Sequence, residues 1–175
     1  MRRFLSSAVL VPVAALFAGC AASPTIVPPS VPPSIQAPPG SQVYLEAVAS
    51  GVQVYECSQK PDSTYEWAFK SPEAALSDRA GHTLGKHYAG PTWEANDGSA
   101  VVGEVKARDP GPTTTAIPWL LLGAKSHSGD GTFAPATFVQ RIATVGGVAP
   151  VGDCSASTLK QQARVPYSAE YIFYR

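Results

Sequence analysis

Charge is what this chain has least of. Only 15% of its 175 residues are Asp, Glu, Lys or Arg, the 13 basic and 13 acidic side chains cancel, and no segment concentrates lysine or arginine. A nucleic-acid role therefore has no electrostatic footing. Histidine and cysteine occur three times each, and no C-x-x-C pair, G-x-S-x-G elbow or H-E-x-x-H helix is present. The usual signatures of thiol redox proteins, serine hydrolases and zinc peptidases are thus missing. No cofactor is implied by any motif. Past the first twenty residues nothing is long and apolar enough to span a bilayer as a helix.

What is present begins at the N-terminus. Arg2 and Arg3 precede an uncharged run from Phe4 to Ala18 that ends in small residues. This is the layout of a secretory signal peptide over residues 1–19. The run is shorter than the roughly 20 residues a spanning helix needs, and Pro12 interrupts it. Phe17, Ala18, Gly19 and Cys20 resemble a bacterial lipobox, with Phe17 in place of the usual leucine. The resemblance implies that Cys20 becomes the first mature residue and carries a diacylglycerol and an acyl chain such as palmitate. Each buried methylene adds about 0.8 kcal/mol, so two or three chains anchor durably. Ala21 stands where aspartate would signal inner-membrane retention, so the expected location is the outer membrane, facing the periplasm. Residues 21–40 contain seven of the 17 prolines and neither charge nor aromatic ring. They read as an extended spacer, at most about 3.1 Å per residue.

Residues 41–175 have the length of one domain. Its two cysteines, Cys57 and Cys154, are an even pair in an exported chain and read as a structural disulfide, preferred over a redox or metal pair. The pattern is all-β. Residues 43–49, 51–57, 64–70, 99–107, 117–126, 136–145 and 165–174 alternate or are rich in β-branched and aromatic residues. Ser71-Pro72-Glu73 predicts a short helical turn over 71–78. Tyr65, Trp67 and Phe69 are expected to face the core, as are Tyr167, Ala169, Tyr171 and Phe173. Leu120, Leu121 and Leu122 lie between Pro118 and Gly123, too close for a helix, and read as a central strand. Asp97-Gly98 between strand-like runs marks a hairpin. Together these predict an antiparallel β-sandwich or barrel-like single domain.

Three constellations are candidates for chemistry. His82, His87 and His127, with Glu94 or Asp130, are the residue types that bind zinc or copper. Ordinary surface or hydrogen-bonded histidines are the preferred reading, because five residues of unbroken strand place His82 and His87 on opposite faces. His87 and Glu94 form a conceivable acid–base pair across a hairpin. The aromatics, among them Trp67, Trp93, Trp119, Tyr55, Tyr65 and Tyr88, can supply a platform for a sugar-like ligand. Of these, Trp67 and Trp119 have the apolar neighbours of core residues, and Trp93 is left open. The bend made by Gly85, Gly90 and Pro91 singles out His87, Tyr88, Trp93 and Glu94 as the candidate binding residues.

The ordered motifs G-V-Q-V-Y-E-C (51–57), G-K-H-Y-A-G-P-T-W-E (85–94), D-G-S (97–99), I-P-W-L-L-L (117–122), V-Q-R-I-A-T-V-G-G-V-A-P (139–150) and V-P-Y-S-A-E-Y-I-F-Y (165–174) resemble a family over residues 42–174. It is the secreted bacterial and fungal domain of unknown function numbered thirty-four fifty-five. The resemblance implies export and a mostly β fold, and supplies no catalytic residues. The expected role is that of an envelope lipoprotein binding a ligand or partner, with a metal-dependent or hydrolytic enzyme as the alternative. A binding or scaffold role predicts that His87 and Glu94 stand apart, whereas an enzyme predicts that His87 converges with other polar groups in a pocket.

Overall fold

Alternation of large and small side chains along the last strand shows how the architecture is built. The computed structural model describes residues 26–175; residues 1–19, read above as a signal peptide, and Cys20 lie outside the described residues. Eight antiparallel strands follow one another: β1 (Val43–Gln59), β2 (Tyr65–Ser77), β3 (Thr83–Tyr88), β4 (Thr92–Ala95), β5 (Ala100–Asp109), β6 (Trp119–Ser128), β7 (Phe138–Gly146) and β8 (Gln162–Tyr174). Each pairs with the next, and β8 pairs with β1 to close a barrel. Tyr167, Ala169, Tyr171 and Phe173 of β8 point inward and are buried. Opposite them on β1 stand Gly51, Ala49 and Ala47, paired with Tyr167, Ala169 and Tyr171. The small residues of one strand thus leave room for the rings of its neighbour, as the taper of a small barrel requires.

Gly51 separates two sequence runs but does not separate two strands. β1 is one strand of 17 residues, and at Gly51 it packs tightly against β2. A Cβ there would fall on the Glu73 carbonyl oxygen and against Ala74, so only glycine fits at this point of the strand. The helical turn predicted over 71–78 is also strand. Pro72 pairs with Gln53 on β1, but on its other side β2 meets β3 only from Ala74 onward. Proline therefore sits on a free edge, where its missing N–H leaves no ladder bond unmade.

A second apolar layer lies outside the barrel. Residues 31–37, read above as part of a spacer, pack across the outer wall: Ile35 is fully buried among Leu121, Ile142, Ile172 and Tyr174. Gln140 donates to the Ile35 carbonyl at 2.6 Å and accepts from the Tyr174 hydroxyl at 2.5 Å. The consecutive leucines of β6 are explained by this arrangement, with Leu120 and Leu122 in the interior and Leu121 beneath the strap.

The two ends of the barrel differ. At the end carrying the β2–β3, β4–β5 and β6–β7 connections, Asp97 does more than form its turn. One carboxylate oxygen accepts from the backbone and hydroxyl of Ser99 (2.8 and 2.5 Å) and the other from those of Thr132 (2.8 and 2.7 Å). These bonds hold the carboxyl far below the usual carboxylate range. The loop they pin delivers Phe133, fully buried, against Phe173 at a ring separation of 4.7 Å, filling that end. At the other end the long β7–β8 connection is tied to β1 by the Cys57–Cys154 disulfide, S–S 2.07 Å.

Candidate functional site

Because β3 and β4 form a tight hairpin, the pairing of His87 with Trp93 and of Lys86 with Glu94 decides which side chains share a face. The four candidate binding residues are therefore split. His87 and Trp93 point into the barrel, both essentially inaccessible, stacked at 4.6 Å with their planes 17° apart. Tyr88 and Glu94 stay outside: the Tyr88 hydroxyl donates to Glu94 at 2.7 Å, and Lys86 lies 3.1 Å from the other carboxylate oxygen. That outer cluster is a solvated surface group. His87 and Glu94 thus stand on opposite faces and cannot act as an acid–base pair.

The histidines do not gather. His82 is exposed and bonded to Asp78 at 2.8 Å, while His127 meets the Ala136 carbonyl at 2.7 Å. Among the described residues no group of three His, Cys, Asp or Glu side chains is placed to hold a metal. The tryptophans, of which Trp67 and Trp119 are expected in the core and Trp93 is left open by the sequence, are placed differently. Trp93 is the interior one. Trp67, opposite Cys57 on β1, is half-buried beneath the β7–β8 connection, its indole donating to the Gly152 carbonyl at 2.8 Å, and Trp119 packs against the outer apolar layer. Phe69, expected in the core, is 53% exposed.

Within the barrel, toward the disulfide end, lies a cavity of about 540 Å³, in the size range of small-molecule sites. Its mouth is framed by Phe69, Lys70 and Pro72 from the unpaired half of β2, by Gly90 and Pro91 of the β3–β4 turn, and by Arg108. Val105, Leu120 and Leu122 form an apolar wall, and Gln53, His87, Trp93, Arg141 and Tyr171 carry its polar groups. Arg141 was not singled out by its sequence. Its Nε and Nη2 both donate to the Pro118 carbonyl (3.1 and 2.8 Å), which fixes the guanidinium in place, and among the described residues no carboxylate pairs with it. Gln53 Nε2, Trp93 Nε1 and Tyr171 Oη, with the hydroxyl of neighbouring Tyr167, are buried there without a well-formed hydrogen bond, although Tyr167 lies beside Tyr171 and Gln53, and Tyr171 beside Arg141. An unpaired buried polar group ordinarily costs about 1–3 kcal/mol. Four such groups lie in one region, beside a cation that no carboxylate pairs with among the described residues.

Burial dominates the ionisation of this site. The hydroxyls of Tyr167 and Tyr171 are pushed up by loss of solvent. Burial pulls His87 down to about 3, an effect only partly opposed by its bond to the Thr92 carbonyl and reinforced by the Arg141 charge. His87 is therefore neutral, its Nδ1–H donating to Thr92 O at 2.8 Å, and Nε2 is left as an acceptor. A stability consequence follows. The unfolded chain takes up a proton on this histidine near pH 6.5, the folded chain only near 3. Below pH 6.5 the unfolded state binds more protons, and folding stability falls by about 1.4 kcal/mol per pH unit until about pH 3. Urea denaturation at about pH 7 and about pH 5 should show this loss, and His87→Gln should flatten the slope; an unchanged slope would mean that His87 is protonated in the fold.

No curated protein and no solved structure matches the chain. A family model described as "Protein of unknown function (DUF3455)" matches residues 38–175, a span that takes in every strand of the barrel and all the cavity residues. The chain belongs to this family of proteins of unknown function.

Proposed function

We propose that this protein is an exported lipoprotein, anchored through Cys20 in the outer membrane, whose barrel binds a small molecule in its cavity. The observation that carries the binding role is the convergence of unpartnered buried donors with an apolar wall in one open-ended space. That combination, a mostly apolar concavity with a few placed polar groups, is the general form of a small-molecule site. His87 does converge with other polar groups, as an enzyme would require. The residues lining the cavity, however, include no Ser, Cys, Asp or Glu, so the arrangement of a serine or cysteine nucleophile with His87 and an orienting carboxylate is not assembled there. Binding is the reading these side chains support best.

Native mass spectrometry of the purified chain tests the binding role: a non-covalent adduct that is lost on unfolding is expected. Protein that carries no adduct, and that no small apolar probe enters, would remove the reading. The anchor has a separate test. Cys20→Ala should move the chain from the membrane pellet to the soluble periplasmic fraction, and unchanged pelleting would refute lipidation.

A further inference from the structure

We infer that the ligand of the barrel is an organic anion, its carboxylate or similar oxyanion seated against Arg141 and its apolar body along Val105, Leu120 and Leu122. This rests on the binding reading above and specifies its chemistry. Three observations carry it. First, each ionised side chain lining the cavity, Lys70, Arg108 and Arg141, is cationic, and no carboxylate faces it. Lys70 already has Glu56 at 3.6 Å at the mouth, but Arg108 and Arg141 join no ion pair among the described residues. A cation inside a barrel demands a counter-charge, since isolating it from water is expensive.

Second, the unsatisfied groups are donors. Gln53 Nε2 and Trp93 Nε1 can only donate, and the Tyr167 and Tyr171 hydroxyls have protons to give. A ligand rich in acceptors satisfies them, and an anionic oxygen does so with roughly twice the strength of a neutral one. Third, Arg141 is pre-oriented. Two of its nitrogens are held by the Pro118 carbonyl and the guanidinium stands beside the Tyr171 hydroxyl, so little side-chain freedom remains to be lost on binding.

A matched pair of dyes separates this inference from the reading beneath it. Anilinonaphthalene sulfonate and phenylnaphthylamine share one aromatic body and differ in the sulfonate. They are titrated by fluorescence into the full chain carrying Cys20→Ala, which keeps acyl chains and detergent away from the cavity. The sulfonate is expected to bind at least about tenfold more tightly. Arg141→Gln should abolish that preference while leaving the neutral dye within about twofold, and Arg141→Lys should keep part of it. If both dyes bind equally to the wild-type cavity, the binding role stands and the anion assignment is overturned. If neither binds, the binding role itself falls and takes the anion with it. A preference that survives Arg141→Gln overturns the assignment of Arg141. Should Arg141→Gln fail to fold by circular dichroism, octanoate and octanol as competitors on the unsubstituted cavity decide: displacement by octanoate alone supports the anion, and equal displacement refutes it.

Discussion

Replacing Cys57 and Cys154 together with serine is expected to lower the stability of the domain by about 4–5 kcal/mol, the largest effect of any change that leaves the barrel wall intact. The bond closes a loop of 97 residues, and the chain-entropy estimate for such a length reaches that range. The structure adds a local reason. Cys57 is fully buried and pairs with Trp67 across β1 and β2, and the same place holds the β7–β8 connection. Cys57 exchanges backbone bonds with Lys160 and Gln161 at 2.9 Å, and Trp67 holds the Gly152 carbonyl. Without the bond, the segment from Val148 to Asp153, in which Val151 is 98% exposed, keeps few ties to the barrel. Its opening should precede global unfolding. Urea midpoints of the oxidised, reduced and serine forms measure the first effect, and limited proteolysis within this segment the second. A loss below about 1 kcal/mol, or protection from cleavage in the reduced form, would show that the rest of the loop packing suffices.

That the two cysteines pair was legible because an even number of them, in a chain read as exported, leaves little else for them to do. The strands were legible where one face alternates, as in β8, and where Pro118 and Gly123 bracket too few residues for a helix. What was hidden shares one physical cause: this barrel wall is buried on both sides in part of its circumference. On β7, Val139 and Arg141 face inward while Gln140 and Ile142 face the strap formed by residues 31–37. Hydropathy would send the arginine out and the isoleucine in, and the strap reverses this. Arg141 therefore reads, within V-Q-R-I-A-T-V, as an outward-facing residue. Pro72 and Gly51 misled for a related reason, since a proline on a free edge and a glycine at a bend look, in sequence, like the start of a helix and the end of a strand. The outcome for the tryptophans has the same root. The alternation of Tyr65, Trp67 and Phe69 is real and shares the face of Tyr55 and Cys57, but at this end of the barrel that face meets the β7–β8 loop and the cavity mouth, and Phe69 stays exposed.

Trp93→Ala is expected to cost about 3–5 kcal/mol, the range for emptying a fully buried large aromatic site. Trp93 has no exposed surface and is the largest side chain inside the barrel. It stacks on His87 and meets Tyr171 and Phe173 edge-on at 5.3 and 5.9 Å, geometries that add about 0.5–1.5 kcal/mol per aromatic pair beyond burial. The backbone around it is shaped to its outline. A Cβ on Gly103 would come 2.8 Å from the indole Cζ3, so β5 has no other residue to offer in compensation, and the neighbouring strands are held in register by a closed ladder that resists collapse into the void. Trp67→Ala should be much milder because that ring is only half-buried. Equilibrium urea unfolding of the two variants gives the comparison. Equal losses for both would mean that the barrel interior relaxes around the missing indole, and would undercut the rigid, preformed cavity on which a binding role for this protein depends.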